Sequence, residues 1–153
     1  MKSYHLEFSQ TLPITLDEAW DFFSSPKNLR KITPEKMGFQ ITFQSGGEKM
    51  YAGQLIKYKI NIFPLIKSNW LTEITYVQKP HFFVDEQRQG PYTFWHHQHH
   101  FEEVEGGIRM KDIISYSIPL GIIGRMMNSL FIHQQINRIF EHRKRVLSQF
   151  FDK

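Results

Sequence analysis

At 153 residues, 41% of them apolar and 22% charged, the chain has the size and balance of one globular domain, 1–153, with a sizeable core. It contains no cysteine, which excludes disulfides and thiolate metal sites, and its net charge of +4 is spread along the chain except at 138–145, so nucleic acid is not the expected partner. The opening Met1-Lys2-Ser3-Tyr4-His5 begins neither a signal peptide nor a long apolar run, and the expectation is a soluble cytoplasmic protein.

Residues 4–12 place Tyr4, Leu6, Phe8 and Leu12 on one face at period two, a strand that Pro13 ends. Thr15 or Asp17 can then cap a helix carrying Leu16, Ala19, Trp20, Phe22 and Phe23, with Asp17, Glu18 and Asp21 near its positive end. Ser25-Pro26 breaks that helix, and 28–32 forms a second short turn stopped by Thr33-Pro34. Phe39, Ile41 and Phe43 alternate with polar residues before Ser45-Gly46-Gly47 turns the chain. Within 50–62, Ile56, Tyr58, Ile60 and Ile62 oppose Lys57, Lys59 and Asn61, and after Pro64 the stretch 68–77 lines up Trp70, Thr72, Ile74 and Tyr76. Pro80 breaks again. Strands at 82–89 and 94–104 follow, joined at Gly90-Pro91, and Gly106-Gly107 signals a tight hairpin into 108–118.

The last segment, 121–151, has no proline and reads as one long helix with cations in its C-terminal half. Its two ends disagree about a buried face. Ile123, Met126, Met127 and Leu130 share one side, whereas Ile132, Ile136, Ile139, Phe140, Val146, Leu147 and Phe150 share nearly the opposite one. A Met-rich patch therefore faces something other than the second half's core, such as a loop, a ligand entrance, a partner or a lipid surface. Strand, two short helices, six strands and a long helix imply an α+β domain whose curved antiparallel sheet wraps the final helix.

With Glu105 opposite Ile108, the last hairpin sets Phe101 against Asp112, His99 against Ile114, His97 against Tyr116 and Trp95 against Ile118, all on one face. A turn centred on Pro91 sets Asp85 against His97 and Gln87 against Trp95, while His96, Gln98, His100 and Glu102 face the other way. An interior holding Asp85, Gln87, His97, His99, Asp112 and Tyr116 is either a closed hydrogen-bonded network or the polar part of a ligand cavity, and both stay open. His97 or His99, oriented by Asp85 or Asp112, could also move protons near neutrality with Tyr116 polarising a carbonyl. The same histidines with Asp85 or Asp112 could hold zinc or iron, but alternate members of the His96 to His100 tract point to opposite faces, and no metal or cofactor is assigned.

These stretches resemble the START-like, helix-grip (SRPBCC) superfamily over nearly the whole chain, and in particular its bacterial ligand-binding, polyketide cyclase/dehydrase-like branch. The resemblance rests on Ser25-Pro26-Lys27-Asn28-Leu29 with Ile32-Thr33-Pro34, and on Gly90-Pro91-Tyr92 leading to Trp95-x-His97-x-His99-x-Phe101. Asp112-x-Ile114-x-Tyr116 before Pro119-Leu120-Gly121, and Phe140-x-x-Arg143, complete it. It implies a seven-stranded antiparallel sheet gripping a long C-terminal helix, with a cavity between them for a small hydrophobic molecule, lipid or polyketide-like. The expected function is binding or carriage of such a molecule; the alternative is a cyclase, aromatase or dehydratase-like enzyme. Expected walls are Phe22, Phe23, Tyr58, Trp70, Trp95, Phe101 and Ile114. His97, His99, Asp112, Tyr116 and Gln87 are the expected anchors, Met126, Met127 and Leu130 border the entrance, and the basic, Met-rich helix is a candidate for transient contact with a membrane surface.

Overall fold

Residues 1–63 and 66–152 are described by the computed structural model. Apolar alternation builds β1 (Ser3–Leu12), and Thr15 then opens α1 (Leu16–Phe23) through a capping box: its hydroxyl accepts from the Glu18 amide while Glu18 accepts from the Thr15 amide. Pro26 starts the short α2 (Pro26–Leu29), and two 3-10 turns, Arg30–Ile32 and Glu35–Met37, carry the chain to the sheet. There β2 (Gln40–Gln44), β3 (Leu55–Phe63), β4 (Ile66–Gln78), β5 (Phe82–Gln89), β6 (Phe94–Val104) and β7 (Gly107–Ser117) follow one another antiparallel. β1 closes on β7, giving one seven-stranded sheet in the order β1-β7-β6-β5-β4-β3-β2. The break expected at Pro64 lies outside the described residues.

The last helix is interrupted. α3 (Gly121–Met127) passes into a π turn, Asn128–Ile132, and then α4 (His133–Phe151). The wider turn resets the phase, so Gly124, Asn128, Ile132, Ile136, Phe140, Arg143 and Leu147 form one buried stripe. That is why the apolar residues of the two halves fall on opposite sides: Ile123, Met126 and Leu130 are outside the stripe and exposed.

Several local expectations are corrected. The final hairpin turns at Glu105-Gly106, pairing Val104 with Gly107, so the register sits two residues from the expected one. Phe101 faces Met110, His99 faces Asp112, His97 faces Ile114 and Trp95 faces Tyr116. An even shift leaves every side chain on its expected face. Gly106 and Gly107 take φ of 86° and 142°, and a Cβ on Gly107 would stand 2.0 Å from the Leu12 carbonyl. In β4 a bulge between Ile74 and Tyr76 reverses the alternation, leaving Tyr76 49% exposed while Val77 packs on the core in its place. The strand expected over 50–62 begins only at Leu55, because Gly53 at φ 93° turns the chain and Gln54 is buried with its amide on the Ser45 and Gly47 carbonyls.

Three apolar clusters share the concave side. One joins α1 to β6, β7 and Leu147, a second joins β3 and β4, and a third joins Ile114 and Tyr116 to Ile132, Ile136 and Phe140. Entry into α3 depends on Gly124, where a Cβ would stand 2.0 Å from the Pro119 carbonyl. Gly124→Ala should therefore destabilise the fold by about 1–3 kcal/mol, read as a lowered urea midpoint at unchanged slope.

Candidate functional site

The described part of the second cluster does not meet α4 across a filled interior. Between them lies a cavity of about 190 Å³, walled by Tyr58, Trp70, Trp95, Phe39, Ile136 and Phe140 among others. α1 contributes Phe22 and Phe23, the 3-10 turns Ile32 and Met37, and α4 also presents Gln135 and Ile139. Gln135 donates to the Ile62 carbonyl, tying the start of α4 to the end of β3. Aromatic rings meet closely here: Trp70 stands edge-on to Trp95 at 5.2 Å and stacks with Tyr58 at 5.8 Å.

One end of this apolar space is charged. Asp85 on β5, His97 and His99 on β6 and Arg143 on α4 all line it, and Asp112 on β7 lies directly behind them at 1% exposure. His97 Nε2 is 2.9 Å from Asp112 Oδ1, and its Nδ1 is 3.4 Å from Asp85 Oδ2. His99 reaches the same two carboxylates, with Nε2 2.6 Å from Asp85 Oδ2 and Nδ1 3.1 Å from Asp112 Oδ1, the latter off the line of a hydrogen bond. The two imidazole rings are 3.8 Å apart, and Phe83 stacks on His99 at 4.0 Å. Arg143 places Nη1 3.4 Å from Asp112 Oδ1 and lies over the rings of Phe23 and Phe140.

Burial pushes the Asp112 carboxyl upward, but Arg143 and the two adjoining histidines outweigh it and hold the group well below the usual carboxylate range. Asp85 is lowered in the same way, its burial overcome by the charge of His97 and the hydrogen bond from His99. His97 is lowered by burial and by the neighbouring His99, against the pull of the carboxylates. His99 goes the other way: burial disfavours its charge, yet the adjoining Asp112 and Asp85 carboxylates raise it. Asp85 and Asp112 thus face Arg143 and two imidazoles whose tendencies to hold a proton are pushed apart, His99 upward and His97 downward.

The expected site residues divide. Tyr58, Trp70, Trp95, His97, His99 and Asp85 line the cavity. Asp112 backs the histidines. Phe101 is packed among Trp20, Phe23 and Phe83, and Ile114 beneath Ile132 and Ile136, so neither borders the space. Tyr116 is fully buried, its hydroxyl donates to Asn128 Oδ1 at 2.8 Å, and burial pushes it up to about 12. It is therefore not presented to the histidines' cavity side. Gln87 instead braces the β5–β6 loop, donating to the Tyr92 carbonyl and accepting from its amide. Met126 and Leu130 are exposed on the outer side of the helix, and Met127 packs against the third cluster; none lines the cavity, because the π turn rotates them away from it. Arg143, one of the cations in the C-terminal half of the helix, turns inward and was not among the expected site residues. Its spacing from Phe140 and Leu147, three and four residues along the buried stripe, is the signal that marked it as an inward residue.

No protein-family model and no curated protein matches this sequence significantly. Solved structures do match in shape. A START superfamily protein from Mycobacterium smegmatis aligns with a TM-score of 0.72 at 11% identity over 97% of both chains. TTHA0849 from Thermus thermophilus gives 0.70 at 13% identity over 95% of both, and Ara h 8.0201 gives 0.64 at 13% over 97% of both. At such identities the likeness speaks for fold alone, and that fold is the START-like helix grip expected above.

The charge cluster gives stability a signed pH dependence. Asp112 is depressed on folding, so its contribution is present above the ordinary carboxylate range near ~4 and lost as pH falls toward its folded value. His99 is raised, so its contribution is present below ~6.5 and lost as pH rises through its folded value. Asp112→Asn should cost about 3–5 kcal/mol in urea unfolding at pH 7, and the gap from wild type should narrow progressively below pH ~4.

Proposed function

We propose that the protein binds and carries a small hydrophobic molecule between the sheet and α4. The observation that supports this most directly is the cavity itself, whose walls are aromatic and aliphatic apart from a charged end and a few buried polar groups such as Thr72. Trp70, a wall residue, has a buried indole N–H with no partner among the described residues, a donor that an oxygen of a bound molecule would satisfy. An apolar cavity of about 150 Å³ is enough to admit benzene, so a space of about 190 Å³ suits one or two fused rings or a short acyl chain, with its polar end toward Asp85, His97 and His99. Lipid-like and polyketide-like molecules both have that division between apolar body and polar end.

The test is equilibrium binding of a naphthalene-based fluorophore, competed by medium-chain fatty acids and by aromatic polyketides. One saturable site per chain is expected. Ile139→Trp, which fills the cavity from α4, should weaken binding at least about tenfold at an unchanged unfolding midpoint. No saturable binding, or binding indifferent to Ile139→Trp, rejects the reading.

A lipid surface is the place where such a molecule would be exchanged. Leu120, Ile122, Ile123, Met126, Leu130 and Phe131 form an exposed apolar face, each at least 56% accessible. No Asp or Glu occurs between Asp112 and Glu141, whereas Arg125 and Arg138 do. Apolar residues set among cations match an anionic bilayer, and Phe131 lies one turn from the cavity-lining Gln135. No helix of the described residues is long and apolar enough to cross a membrane, so the contact would be peripheral. Co-sedimentation with phosphatidylserine vesicles should fall with added salt and with Ile123→Asp; absence of binding to them removes this element and leaves the cavity reading intact.

A further inference from the structure

We propose that Asp85, His97 and His99 form a binding site for a divalent first-row transition ion, of the zinc or ferrous kind, at the charged end of the cavity. The ligand atoms of the three residues all lie within 4.8 Å of one another. Asp85 Oδ2 is 3.4 Å from His97 Nδ1 and 2.6 Å from His99 Nε2. Donors around a tetrahedral ion with bonds of about 2.1 Å stand roughly 3.4 Å apart, a spacing that the Asp85–His97 pair already has and that the Asp85–His99 pair would reach by opening.

The other nitrogen of each ring strengthens the assignment. His97 Nε2 and His99 Nδ1 both turn to Asp112 Oδ1, at 2.9 and 3.1 Å. An imidazole that binds a metal through one nitrogen commonly gives its remaining N–H to a carboxylate, which fixes the ring and raises its donor strength. Here His97 Nε2 has that bond to Asp112, and His99 Nδ1 stands beside the same oxygen. His99 Nδ1 is buried without an aligned acceptor, so a small rotation of that ring toward an ion would cost it no good hydrogen bond on the Asp112 side.

The cluster also has a front and a back. Asp85, His97 and His99 border the cavity, whereas Asp112 is behind them and already neutralised by Arg143. Three protein donors leave the ion's remaining positions directed into the cavity, as in sites that bind an exogenous oxygen. A divalent ion beside Arg143 brings three positive charges to the cluster. Asp85 and Asp112 then balance two of three positive charges, and the remaining charge suits an anionic oxygen: a carboxylate, phenolate, enolate or hydroxide. The outer histidines take no part. His96 is engaged by Glu86 at 2.7 Å and His100 by Gln98 at 3.0 Å on the opposite face of the sheet.

Chelator-stripped full-length protein titrated with Co²⁺ alone, followed by Zn²⁺ competition against a chromophoric chelator, tests the site. One ion per chain, bound tighter than about 10 µM with visible ligand-field absorption, is expected. Asp85→Asn and His99→Gln should each weaken it by about 100-fold or more, and Asp112→Asn by about 10–100-fold, while His96→Gln and His100→Gln leave it unchanged. Absence of binding at about 10 µM, or binding lost with His96→Gln and His100→Gln but kept in Asp85→Asn, overturns the proposal. Should the inner variants not fold, X-ray absorption of the zinc-loaded wild type decides: two imidazole nitrogens with oxygen are expected, and an all-oxygen or four-imidazole shell overturns it. The site does not rest on the hydrophobic-ligand reading, because fluorophore binding by the metal-free protein is measured separately.

Discussion

The buried carboxylate of Asp112 is the constraint around which the sheet and the closing helix are arranged. At 1% exposure it cannot be left ionised without partners, and it finds them on two other elements: His97 and His99 on β6 and Arg143 on α4. The Asp85 carboxylate of β5 joins through the same two rings. Three neighbouring strands and the last helix are thereby held in one register and at one height along that helix. Desolvating these charges is costly, and their mutual pairing is what makes that burial tolerable.

The network gathers the charged groups at one end of a space made mostly of aromatic and aliphatic side chains. Arg143 belongs to both sides of this arrangement. It lines the cavity, lies over Phe23 and Phe140, and reaches Asp112 behind the histidines, with its stem occupying a core position of α4.

The π turn at Asn128–Ile132 sets what the helix shows to each side. By widening one turn it carries the buried row from Gly124 through Asn128 to Ile132, ties Tyr116 to Asn128, and turns Met126, Leu130 and Phe131 outward. The apolar outer face is a consequence of the extra residue in that turn.

Element order, the α+β class and the inward direction of His97 and His99 were legible from residue order, because alternation along a strand and punctuation by proline and glycine are properties of neighbouring residues. Even the mistaken register of β6 on β7 left those histidines on the correct face, since it erred by two. The outward swing of Tyr76, the late start of β3, the phase change in the last helix and the pairing of Arg143 with Asp112 were not legible. Each of these depends on a bulge, a wide turn or a partner distant along the chain. Such features exchange small local costs for packing and charge compensation, and that balance exists only once the helix lies across the sheet.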